Sequence, residues 1–257
     1  MKPNLHQLMH DINIILYAAN QIFNEPVYSG TDDVFSFFNQ IKLAPSEIWK
    51  TGLHWSNLTQ DKAPWGTFVV EKVLGFGLSP NSNIAQRFAN AIVYMFCKRF
   101  DMIEDHLLSQ EQDPAKLAWI NARKSLGPSQ CRLYIIKMYT DDVKFVVVGV
   151  ERLIRFLRCW DNLMTELGLL MAIAKKRQLG CASSWLGFLP CPMLAMVAIP
   201  REKVSSAITG LTSLADGPPL RLDAHRSLLG FLEHLIPFDD SGRASMFGFY
   251  SVFKGSL

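Results

Sequence analysis

The feature that most constrains this chain is the stretch RLYIIKMYTDDVKFVVVGV, Arg132 to Val150. Two β-favouring runs are separated there by only Thr140, Asp141 and Asp142, a spacing that leaves room for a tight hairpin and little else. The turn carries two adjacent carboxylates between strongly apolar flanks. At the end of a buried sheet such like charges repel and raise each other's pKa unless a cation offsets them. Hard oxygen donors favour Mg²⁺, with Mn²⁺ as a substitute, and a metal pair requires a third carboxylate from another strand.

The rest of the chain supplies a setting for that hairpin. The N-terminal segment MKPNLHQLMHDINIILYAANQIF reads as an amphipathic helix, and Val27 to Leu43 as a strand running into a helical turn. Phe68 to Phe76 is a second apolar run, followed by the glycine-bearing loop GFGLSPNSN and a helix over IAQRFANAIVYMFCKRF. Asp101 to Ser129 is polar, so an exposed helical insertion is expected. After the hairpin, Leu153, Leu157, Trp160, Met164 and Leu167 recur at helical spacing up to Gly168, which predicts a helix covering the sheet. SSWLGFL reads as a strand, and two helices are expected around Val204–Leu214 and Leu228–Leu235.

Composition removes several alternatives. With 257 residues, 49% of them hydrophobic, the chain buries a proper core, and its net charge of +3 requires any basic surface to be local. Five widely spaced cysteines without a CxxC pair give neither a disulfide framework nor a zinc site, and point to a reducing, intracellular compartment. The N-terminus lacks a signal-peptide cleavage site, and no apolar run approaches the roughly 18 residues of a membrane span.

Further motifs make the reading specific. DVFSFFNQIKL, VLGFGLSPNSNIAQRF, YTDD, LGLLMAIAKKRQLG and Trp185-Leu186-Gly187-Phe188 follow one another along the chain. In that order they resemble the five palm motifs of reverse transcriptases. The resemblance covers Val27 to Phe188 and implies an α+β fold, an antiparallel palm sheet backed by helices, with a helical thumb-like region after it. The implied division is 1–189 for the palm and 190–257 for the helical part, of a retrotransposon-type enzyme.

Site residues carry over motif by motif. Asp33, with Asp32 as alternative, is implied to join Asp141 and Asp142 in holding two Mg²⁺ ions. Phe38 is implied beside the sugar 2′ position, and Phe76, Gly77 and Gln86 at the incoming nucleotide. Lys176, or its neighbour Lys175, is implied as general acid, and Trp185, Leu186 and Gly187 as the primer grip, within a hairpin over Trp185–Phe188. The implied partners are an RNA or DNA template with its primer and deoxynucleoside triphosphates.

The sequence departs from the family's pattern in three respects. Gly75 stands where the second motif usually has Pro, and Ser82 and Ala85 replace the usual Pro and Phe. The polar Asp101–Ser129 stretch lengthens the path between the second and third motifs. Only about 30 residues precede Asp33, so the upstream fingers with their triphosphate clamp are expected to be missing. A decayed module that only binds nucleic acid is the second expectation.

Overall fold

A computed structural model describes residues 5–55, 67–75, 79–172, 177–216 and 222–235. The chain forms two compact units. One comprises Met1–Leu186 with Pro190–Met196, the other Gly187–Leu189 with Val197–Leu257.

The first unit is built on a four-stranded sheet of order β4-β5-β1-β6. Its strands are β1 (Val27–Asp33), β4 (Tyr134–Tyr139), β5 (Asp142–Val148) and β6 (Gln178–Gly180). All three pairings are antiparallel. A separate two-stranded sheet joins β2 (Gly52–Trp55) to β3 (Thr67–Val70). The short strands β7 (Leu189–Cys191) and β8 (Met196–Ala198) pair with each other. The fold is therefore α+β, with an antiparallel sheet backed by helices, as the sequence leads one to expect.

One face of the large sheet is apolar. Tyr134, Ile136, Met138, Val143, Phe145 and Val147 project from it into the main core, at the every-second-residue spacing of a strand. Helix α3 (Ser79–Leu108) packs there through Ala85, Ala89, Ile92, Phe96 and Phe100, and α5 (Val150–Glu166) through Leu153, Phe156, Trp160, Leu163 and Met164. Both stripes repeat every three or four residues, which places them on one side of each helix. Phe96 contacts Phe100, Tyr134, Phe156 and Trp160 with ring centroids 4.6–6.2 Å apart. The α5 helix ends at Gly168, whose φ of +67° permits the left-handed cap.

Gly30 is required by this packing. It lies opposite Phe145 in the β1–β5 ladder, and a Cβ at Gly30 would come within 2.2 Å of the Phe145 ring. Helix α1 (Leu5–Tyr17) runs on into a π-helical turn, Ala18–Phe23, and contacts β4. Its Asp11 forms an ion pair with Lys137 of β4 at 2.7 Å.

The Asp101–Ser129 stretch is helical, as expected, but it is not a surface excursion throughout. Residues 101–108 continue α3, and α4 (Pro114–Lys124) follows, capped by the Asp113 carboxylate accepting from the N–H groups of Ala115 and Lys116. Asp101 accepts from Arg132 Nε and Nη2 and from the Tyr134 hydroxyl, and the buried Glu104 accepts from Arg152 and Arg155. These charges fix α3 to β4 and α5. Ile120 is buried as well.

The second unit contains α6 (Arg201–Asp216) and α7 (Leu222–Leu235), which pack through Ala207, Leu228, Leu229 and Leu232. A Cβ at Gly210 would meet a terminal methyl of Leu228 at 2.6 Å, so that side chain would have to shift. No helix among the described residues is long and apolar enough to cross a membrane.

Candidate active site at the corner of the sheet

The β1–β5 register places Asp33 directly opposite Asp142. Asp141 lies at the hairpin turn, where its carbonyl accepts from the N–H of Val34, the residue after Asp33. Three carboxylate-bearing residues therefore meet at one corner of the sheet. Directly opposed residues share a face, so Asp33 and Asp142 project together on the side away from α3 and α5.

The same alternation puts Asp32 and Asp33 on opposite faces. Asp32 projects to the helical side, where its carboxylate accepts from Trp160 Nε1 at 3.3 Å and from Arg177 Nη2 at 2.5 Å. Arg177 also donates to Asp161 of α5. Asp32 is thus a structural anchor between β1, α5 and the start of β6.

The turn itself is strained. Thr140 has φ +52°, a left-handed conformation that a β-branched residue rarely adopts and that costs on the order of 1–3 kcal/mol. Gln86 of α3 holds it there. Its amide oxygen accepts the Thr140 N–H at 3.1 Å, and its amide nitrogen donates to the Met138 carbonyl at 2.9 Å. The Thr140 hydroxyl lies 2.7 Å from Asp141 Oδ1 and the same distance from the Tyr139 carbonyl.

A second set of bonds holds the stretch after α5 beside Asp33. Ala172 N–H donates to the Asp33 carbonyl and Phe35 N–H to the Leu170 carbonyl, each at 2.9 Å. The Gln40 amide accepts from Leu170 N–H at 2.8 Å and donates to the Leu170 and Phe35 carbonyls. With Ala172 on Asp33 and Arg177 on Asp32, the described residues on either side of 173–176 are both fixed to the end of β1.

Among the described residues, no three His, Cys, Asp or Glu side chains are grouped as a metal site. The carboxylates share a corner without being drawn into one cluster. Their donor chemistry, carboxylate oxygen, is what a hard divalent cation prefers.

Compared with solved structures, the chain is similar to a foamy viral protease-reverse transcriptase in complex with an RNA/DNA hybrid. The identity is 17% and the TM-score 0.59, over 89% of this chain and 24% of that one. It is similarly close to the foamy viral protease-reverse transcriptase dRH in complex with double-stranded DNA, at 17% identity and TM-score 0.57, over 90% and 31% of the two chains. A further foamy viral protease-reverse transcriptase structure, in complex with double-stranded DNA, matches at 16% identity and TM-score 0.54, over 89% and 37%. The chain has a reverse-transcriptase-like fold. It spans between 24% and 37% of the length of those proteins. No protein-family model and no curated protein sequence matches it.

Within this reverse-transcriptase-like fold the remaining site residues fall into three groups. Lys175, Lys176, Phe76 and Gly77 lie outside the described residues. Phe38 and Gln86, expected at the nucleotide, are inside the protein at 6% and 4% exposure; Phe38 joins the main core, and Gln86 braces the turn from below. Phe35, two residues after Asp33, is the exposed aromatic, at 56%. Trp185 is buried, and its Nε1 donates to the Asp142 carbonyl at 3.3 Å. The strand expected over SSWLGFL is broken, because Leu186 and Gly187 have φ of +49° and +77° and turn the chain sharply.

Sequence reasoning missed the buried Lys144, whose Nζ is bonded to Ser29 and Ser183. A lysine on the polar side of an alternating strand reads as a solvent-facing residue. The only signal for it was that Val146 and Val148, two and four positions on along the same face, are apolar.

Proposed function

We propose that this chain is the palm and thumb region of an RNA-directed DNA polymerase from a retrotransposon-like element. It adds deoxynucleotides to a primer 3′-hydroxyl on an RNA or DNA template. The observation that carries the proposal is the register of Asp33 against Asp142 beside the strained Thr140–Asp141 turn. Strain of this kind is retained where the surrounding structure over-determines it, as Gln86 does here, and functional sites are where it concentrates. The nucleic-acid complexes of the foamy viral proteins support the same choice of partner.

In this reading Asp33, Asp141 and Asp142 hold two Mg²⁺ ions, or Mn²⁺ in their place. Two such ions, when bound, activate the attacking hydroxyl and neutralise charge on the leaving pyrophosphate. Asp32 keeps β1 in register through Arg177 and Trp160, so that Asp33 stays on the opposite face. Gln86 holds the turn at a fixed height, and Phe38 supports the nucleotide pocket from within the core, with Phe76 and Gly77 beside the incoming base. Lys176 donates a proton to the pyrophosphate. Trp185, Leu186 and Gly187 receive the primer end, and the helices of the second unit act as a thumb along the duplex.

The test is Mg²⁺-dependent primer extension on RNA and DNA templates, comparing the chain with an Asp141→Asn, Asp142→Asn double variant. Extension by the chain and none by the variant is the expected result. A folded chain that binds primer–template but never extends it overturns the catalytic reading.

A further inference from the structure

Lys144 lies in the middle of β5, two residues past Asp142 and on the same face of the sheet. It is 0% exposed. Its Nζ donates to Ser29 Oγ at 2.7 Å, to Ser183 Oγ at 2.5 Å and to the Ser183 carbonyl at 2.9 Å. The two serine hydroxyls are themselves 3.0 Å apart. Three acceptors match the three donors of an ammonium group, and no carboxylate forms an ion pair with it among the described residues.

Burying an ammonium without a counter-ion is expensive, and a methionine of similar length would cover the strand without that cost. What a methionine lacks is any hold on Ser183. Ser183 begins the short segment that leads to Trp185, and Trp185 donates to the carbonyl of Asp142. The segment is therefore attached to β5 at two points, one of them the backbone of a candidate metal-binding residue.

We propose that Lys144 is a positioning residue that, through Ser183, fixes the segment ending in Trp185 and Leu186 against the hairpin and thereby sets where the primer end rests. The part concerning the primer rests on the polymerase reading above. The attachment to β5 does not.

Burial pushes the Lys144 ammonium down to about 7, with Cys191 opposing the shift. The unfolded lysine stays protonated up to its ordinary 10.5, so the folded state binds fewer protons between about 7 and 10.5 and gains stability as pH rises across that window.

The experiment is hydrogen exchange by mass spectrometry on the full chain for wild type, Lys144→Met and Ser183→Ala. Residues 183–186 of Lys144→Met are expected to exchange about tenfold faster than in wild type, while β4 and β5 keep their protection. Ser183→Ala, which leaves the lysine in place, gives the same pattern with smaller amplitude and serves if the methionine variant does not fold. In primer extension, Lys144→Met raises KM for primer–template and leaves KM for the nucleotide unchanged. Unchanged exchange at 183–186, or a uniform rise across the sheet, overturns the proposal. A wild type that never extends a primer, with the exchange pattern intact, overturns the polymerase reading and leaves the attachment standing.

Discussion

The two faces of the central sheet are made by alternate residues of the same strands and differ most at the hairpin end. Along β5, Val143, Phe145 and Val147 enter an aromatic core closed by α3 and α5. Asp142 and Lys144, between them, carry charge on the other side. The first face is redundant, because many apolar contacts share the work of holding the strands. At the hairpin the second depends on few contacts: one register pairing and one ammonium, with the Gln86 amide bracing the turn from the core side. At the hairpin end the apolar core and the candidate site are thus separated by the pleat of the sheet, at a spacing of one residue.

That contrast is open to direct attack. The largest expected effect is on the aromatic face, where Phe96→Ala removes a ring in contact with four others and is expected to cost about 3–5 kcal/mol in urea unfolding. A cost below about 1 kcal/mol would mean that the core is not the rigid side. Next is Gly30→Ala, which sets a methyl against the Phe145 ring and is expected to cost about 1–3 kcal/mol by the same measurement. The smallest is Thr140→Gly at the turn. Glycine adopts the left-handed conformation without strain, so stability should change by under about 1 kcal/mol and in the favourable direction.

Much of this arrangement was legible in the sequence, for identifiable reasons. The hairpin announced itself because two β-favouring runs lie only three residues apart, and α5 because its apolar residues repeat every three or four positions. What escaped depended on distant partners. Asp101 and Glu104 read as solvated charges, yet their arginines come from 31 and 48 residues further on. Lys144 finds its serines 115 and 39 positions away. Gln86 looked like a nucleotide contact because its motif sits beside one, and only the pairing of α3 with the hairpin shows its amide bracing the turn from below. The turn at Leu186–Gly187 escaped the composition, where SSWLGFL reads as a strand, although the resemblance of Trp185–Phe188 to the fifth motif implied a hairpin there.

Asp32 and Asp33 test the central claim most directly, since they are neighbours on opposite faces. Primer extension and urea unfolding should be measured together on Asp32→Asn and Asp33→Asn. Asp32→Asn is expected to lose about 3 kcal/mol of stability, because Arg177 and Trp160 lose a buried carboxylate. Asp33→Asn is expected to fold within about 0.5 kcal/mol of wild type and to abolish Mg²⁺-dependent extension. Wild-type extension by Asp33→Asn would contradict the account, because the carboxylate opposite Asp142 would then have no part in the chemistry.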